Sequence, residues 1–127
     1  MNIPNYTLLY VDDPVASAAF YERVLGLAPV DVSPTFVPFV LPNGTKLGLW
    51  SQHTVAPRPA AGAGPGMTEL GFALADHAAL DALHADWAAA GVTIIEPPTT
   101  HDFGRAFTAL DPDGHRLRAF VLAPDPR

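Results

Sequence analysis

The chain predicts an α+β fold assembled from two copies of one βαβββ module. The run Leu8-Leu9-Tyr10-Val11 leads into Asp12-Asp13-Pro14 and an alanine-rich helical stretch that stops at Gly26. The same order returns when Leu70-Gly71-Phe72-Ala73-Leu74 leads into Asp76 and a second alanine-rich stretch ending at Gly91. Each half then closes with short strand-like runs around a tight turn, Pro42-Asn43-Gly44 in the first and Pro112-Asp113-Gly114 in the second. An internal repeat of this kind dictates architecture ahead of any local detail. At 127 residues, 49% of them apolar and 16% charged, the chain can bury a core as one folding unit or as two half-units that share one.

The first strand is expected over Tyr6 to Val11. Asp12 or Asp13 can cap the following helix, and Pro14 suits its first position because no hydrogen bond is lost there. Ala16, Ala19, Phe20, Val24 and Leu27 recur near the helical period and predict its apolar face. Gly26 supplies a left-handed stop. Val30 to Ser33 and Thr35 to Leu41 read as strands, the second confined to an edge or a bulge by Pro38. Asn43-Gly44 predicts a hairpin, with the returning strand over Lys46 to Trp50. From Gln52 to Gly66 prolines, glycines and alanines predict a mobile linker. Its glycines lack the lysine and the strand-to-helix setting of a phosphate loop. In the second half, strands are expected over Thr68 to Leu74, Val92 to Glu96, Arg105 to Leu110 and His115 to Leu122. The Val92 strand closes at Pro97-Pro98. Asp76 caps a helix with the apolar stripe Leu80, Leu83, Trp87 and Ala90, and Gly91 ends it. Pro124 to Arg127 reads as a frayed tail.

Several function classes are disfavoured by composition. A formal charge of −6 offers no basic face for non-specific nucleic-acid binding. The absence of cysteine removes disulfides, thiolate nucleophiles and cysteine metal sites. No signal peptide or membrane span is visible, and a cytoplasmic location follows by default. No serine has a plausible histidine–carboxylate pairing by motif. His77, His84 and Asp81 share a helix face opposite the apolar stripe, where a solvated surface is expected. His53 and His101 are weak ligand contacts, and His115 is expected to point outward or cap its turn.

Leu9-Tyr10-Val11-Asp12-Asp13-Pro14, Phe20-Tyr21-Glu22-Arg23-Val24-Leu25-Gly26-Leu27 and Leu110-Asp111-Pro112-Asp113-Gly114-His115 together resemble the vicinal oxygen chelate superfamily of glyoxalases, bleomycin-resistance proteins and ring-cleaving dioxygenases. The resemblance covers essentially the whole chain. It implies one domain over 1–127, with modules at about 4–51 and 67–123 joined by a linker at 52–66. It further implies a cupped, half-barrel mixed sheet with helices on its outer face. Short members usually pair as homodimers, often with sites shared between subunits.

Alternation of side chains along strands then places Tyr6, Leu8 and Tyr10 on the cup side, together with Lys46, Gly48 and Trp50. In the second module it places Glu69, Gly71 and Ala73 there, with Arg116, Arg118 and Phe120. Metal-using members carry a His or Glu ligand at four strand positions, which match Tyr6, Gly48, Glu69 and Arg118. Glycine has no donor side chain, arginine is a permanent cation and tyrosine is a poor ligand for these ions. One carboxylate is too few for a metal that needs several protein ligands.

No metal, cofactor or catalytic residue is therefore expected. Glu69 and Arg118 should form an ion pair on adjacent strands, either as a polar anchor for a ligand or as a structural bridge. Trp50 and Tyr6 form an aromatic wall, with Gly48 leaving room beside Tyr6 and the small Gly71 and Ala73 opposite. The other reading of Trp50 is a plug in the core or in a dimer seam. Leu8, Phe36 and, on a rim loop, Phe103 complete the candidate set. The expected function is metal-independent capture of a planar aromatic antibiotic or metabolite, most like phenazine-resistance-type members. The alternative is a divalent-metal glyoxalase-type lyase or an extradiol dioxygenase. No nucleic-acid or membrane partner is expected.

Overall fold

Strand β1 (Tyr6–Val11), helix α1 (Pro14–Leu25) and strands β2 (Phe36–Val40) and β3 (Lys46–Ser51) make up the first half of the protein. The second half holds strand β4 (Glu69–Ala73), helix α2 (His77–Ala89) and strands β5 (Thr93–His101), β6 (Gly104–Leu110) and β7 (Arg116–Leu122). The computed structural model describes residues 1, 3–57 and 68–124. Most of the expected linker and the tail beyond Pro124 lie outside them. Two helices with two mixed sheets give the α+β class that the sequence predicts. The chain divides into two compact units, Met1–Met67 and Thr68–Arg127. Among the described residues no helix is long and apolar enough to cross a membrane.

The first unit is a three-stranded sheet in the order β1-β3-β2, with β1 parallel and β2 antiparallel to β3. Asp13 caps α1, accepting hydrogen bonds from the backbone N–H groups of Val15 and Ala16, and Pro14 opens the helix. Gly26 ends it at φ 71°, donating its N–H to the Glu22 carbonyl. The buried face of α1 differs from the expected one. Pro14, Ser17, Ala18 and Tyr21 are buried, whereas Ala16 and Ala19 are exposed. Tyr21 is fully buried and edge-to-face with Phe20, so an aromatic body carries the packing and its hydroxyl does not pull it outward. Leu9, Val11, Val37, Phe39 and Leu49 complete this core.

Val30 to Ser33 does not form the expected strand. Val30 donates its N–H to the Pro38 carbonyl at 2.9 Å, but Pro38 has no N–H to return. An antiparallel hydrogen-bonded pair needs both bonds. The segment instead closes through Ser33, whose hydroxyl donates to the Phe36 carbonyl and accepts the Phe36 N–H. β2 is thus an edge strand, as its proline requires.

The second unit has all four strands, in the order β4-β7-β6-β5, with β4 parallel to β7 and the other pairs antiparallel. Asp76 caps α2 through the Ala79 N–H at 2.8 Å, and Gly91 follows its end at φ 85°. Trp87 meets Phe72 and Phe107 edge-to-face, each at 5.4 Å, over Leu80, Leu117 and Ala119. β5 runs on through Pro97-Pro98 rather than stopping there. It is the edge strand of its sheet, and its register shifts between Ile94 and Glu96 and again between Glu96 and Thr99. Bulges at an edge absorb prolines that a central ladder would reject.

Both late hairpins use one loop design. Gly44 at φ 89° donates to the Leu41 carbonyl, and Gly114 at φ 86° donates to the Asp111 carbonyl. Asn43 and Asp111 brace their loops by accepting nearby backbone N–H groups. His115 does not point outward as expected but is 1% exposed. Gln52 to Val55 also departs from expectation, because it folds onto the first unit. The Gln52 N–H reaches the Val11 carbonyl, and Val55 is buried.

Candidate functional site

Strand register sets one face of the first unit. Tyr6 lies beside Lys46, Leu8 beside Gly48 and Tyr10 beside Trp50. On the other side of β3, Pro38 flanks Gly48 and Phe36 flanks Trp50. The opposite face carries Leu9, Val11, Leu47 and Leu49, all buried, so the alternation has the predicted phase.

An open hollow of about 440 Å³ lies on this face, lined by Tyr6, Leu8, Phe36 and Trp50. That volume falls within the usual range for small-molecule sites. Phe36 meets Trp50 edge-to-face at 6.0 Å and 88°. The Lys46 ammonium stands over the Tyr6 ring, 5.7 Å from its centroid. Tyr6 and Leu8 are 41% and 42% exposed, large apolar surfaces left uncovered. The sequence identified all four lining residues.

Gly48 acts differently from expectation. It does not leave open space beside Tyr6, because Leu8 and Phe36 already fill the volume its side chain would take. A Cβ built there would stand 2.6 Å from Leu8 Cδ2 and 2.8 Å from Phe36 Cζ. Gly48 is therefore a floor position on which two lining side chains rest. Gly71 is likewise covered, since a Cβ there would meet Phe120 Cε1 at 3.2 Å.

Glu69 and Arg118 pair as expected. Arg118 Nε donates to Glu69 Oε2 and Nη2 to Oε1, both at 3.1 Å, a bidentate fork. The Glu69 hydrogen bonds raise the Arg118 pKa above its ordinary value, against a smaller opposing effect of burial, and the Glu69 and Glu96 charges raise it further. Glu96 is a neighbour that the sequence did not single out. Arg118, Thr108 and Glu96 are successive register partners across β7, β6 and β5.

Glu96 Oε1 is also 2.6 Å from His101 Nε2, and the His101 ring stacks on Phe103 at 5.1 Å and 6°. Phe103 thus sits in the β5–β6 turn against His101, within the second unit. The second bulge of β5, between Glu96 and Thr99, aligns Glu96 with His101, and strand periodicity carries no signal for it.

Other histidines and their carboxylate neighbours are engaged locally. Asp81 pairs with Arg105, and His84 packs its ring edge-on against Phe107 at 5.2 Å, so that helix face is only partly solvated. His53 pairs with Asp12 at 2.7 Å on the surface. Among the described residues no group of three or more His, Asp or Glu side chains could hold a metal ion. The four family positions do not fit one either. Gly48 has no donor and its space is filled, and Glu69 is engaged by Arg118 through both oxygens.

Comparison with known proteins accords with this geometry. The profile of the Glyoxalase/Bleomycin resistance protein/Dioxygenase superfamily matches residues 3–119. A curated relative, the phenazine antibiotic resistance protein EhpR of Enterobacter agglomerans, is 32% identical over 124 residues, covering 94% of this chain and 92% of its own length. The solution structure of protein ATC0852 from Agrobacterium tumefaciens is 48% identical and superposes with a TM-score of 0.86, covering 98% of this chain and all of that one. A glyoxalase/bleomycin resistance protein/dioxygenase from Nocardioides, 22% identical, shares the fold with a TM-score of 0.83 over 100% of this chain and 89% of its own. The chain belongs to the glyoxalase/bleomycin resistance protein/dioxygenase superfamily.

Proposed function

We propose that this protein binds a planar aromatic antibiotic or metabolite without a metal and holds it by sequestration. The observation that carries the reading is the hollow walled by Tyr6, Leu8, Phe36 and Trp50. Flat ring systems gain there from burial, about 2.5 kcal/mol for every 100 Å² or so of apolar surface removed from water. Stacking on Trp50 adds about 0.5–1.5 kcal/mol. The name of the curated relative, a phenazine resistance protein, supports a fused-ring ligand.

The working form in this reading is a cytoplasmic homodimer, for which a solution mass of twice the chain is the expected result. Sequestration is tested by equilibrium dialysis of the protein against phenazine, followed by mass spectrometry of the recovered compound. One equivalent retained per site and recovered unchanged is expected. Chemical conversion of the compound, or stoichiometric divalent metal in protein purified without chelators, would favour an enzyme and sink the proposal.

A further inference from the structure

The ligand's charge is written on the same face as the hollow. Of the residues that β1, β2 and β3 place on that face, Lys46 alone is charged, and it is the only lysine in the chain. Its ammonium stands over the ring of Tyr6, which lines the hollow. Among the described residues no carboxylate forms an ion pair with it. Asp12 is paired with His53 instead.

An aromatic wall with a single unneutralised cation at its edge matches a flat ring bearing one anionic substituent. We infer that Lys46 selects planar aromatic acids, the rings resting against Trp50 and Phe36 and the carboxylate meeting the Lys46 ammonium. The selection is local and opposes the overall negative charge of the chain, which by itself disfavours anions. This inference rests on the hollow being the ligand site, and it adds the chemical class of the ligand.

Lys46 is exposed, so its preference is modest and sensitive to salt. An exposed ion pair corresponds to a preference of up to about fivefold. The test is calorimetric titration with two probes of one ring system, phenazine-1-carboxylate and phenazine-1-carboxamide, at neutral pH and low salt. The wild-type protein should bind the acid about three- to fivefold more tightly than the amide. K46M should abolish that preference, K46R should retain it, and high salt should narrow it.

Equal binding of the two probes by the wild type would overturn the inference while leaving the hollow intact. So would a uniform loss of both in K46M, which would make Lys46 a prop for the Tyr6 ring. Binding of neither probe would defeat the reading of the hollow and the role of Lys46 together. Thermal unfolding of K46M, expected to match the wild type, separates these outcomes from loss of fold.

Discussion

Replacing Gly48 with alanine should damage ligand binding more than it damages the fold. The added methyl group would sit 2.6 Å from Leu8 Cδ2 and 2.8 Å and 3.0 Å from two carbons of the Phe36 ring. Carbon atoms pack best at about 3.5–4.0 Å, so each side chain must retreat by about 1 Å. Both contacted groups are side-chain ends. Leu8 can swing toward solvent, whereas Phe36 is held against Trp50.

Overpacking of this order costs about 1–3 kcal/mol. The removal of glycine from a strand interior returns about 0.5–1 kcal/mol. A net loss of about 1 kcal/mol follows, which lowers Tm by about 3–6 °C in a chain of this size. Affinity for a planar ligand should fall by at least about tenfold, or 1.4 kcal/mol, because two of the four lining side chains move. Thermal unfolding and calorimetric titration of the same preparation measure both quantities. Gly71→Ala is the control, with one looser contact to Phe120 in the other unit and a smaller expected loss of stability. Unchanged affinity in Gly48→Ala would refute the account, since the hollow could not then depend on where Leu8 and Phe36 rest.

Gly104 has φ 141°, and a Cβ there would lie 2.1 Å from the Val121 carbonyl oxygen, so Gly104→Ala should cost about 3 kcal/mol or more by urea unfolding. Asp13→Ala removes the cap of α1 and should cost about 1 kcal/mol in the same measurement. Arg118→Gln breaks the fork to Glu69. Because the pair is partly solvated, the loss should stay within about 1 kcal/mol. The raised pKa of Arg118 belongs to a base, so its stabilising effect is fully present at and below the unfolded-state value and is lost only as pH rises through the folded one. Stability measured from pH 6 to 9 should therefore show no change with pH from this arginine, whose contribution stays whole across that range.

Much of the fold was legible because its signals are local. Asp13, Pro14 and Gly26 bound α1 by capping chemistry, and the two Gly-containing turns set both late hairpins. The period of two along β1 and β3 put Tyr6, Leu8 and Trp50 on one face, and Phe36 joined them through the register of β2. What sequence did not carry was the identity of the atoms that fill a gap. Gly48 reads as empty space, yet Leu8 and Phe36 occupy it. The buried face of α1 was missed because Ser17, Ala18 and Tyr21 are weak hydrophobic markers that pack well together. Pro38 denied the first unit its outer strand by withholding one N–H. Pro97-Pro98 did not end β5, because an edge strand can take up prolines by bulging, and the bulge between Glu96 and Thr99 brought Glu96 to His101.

The central claim is that a flat ligand lies against Trp50, and fluorescence titration with phenazine tests it most directly. Trp87 is 2% exposed in the core of the second unit, whereas Trp50 lines an open hollow, so quenching by a bound ring should come chiefly from Trp50. The account predicts saturable quenching in the wild-type protein and, by calorimetry, affinity at least about tenfold weaker in Trp50→Ala with the fold retained. Equal affinity in the wild type and in Trp50→Ala would contradict it.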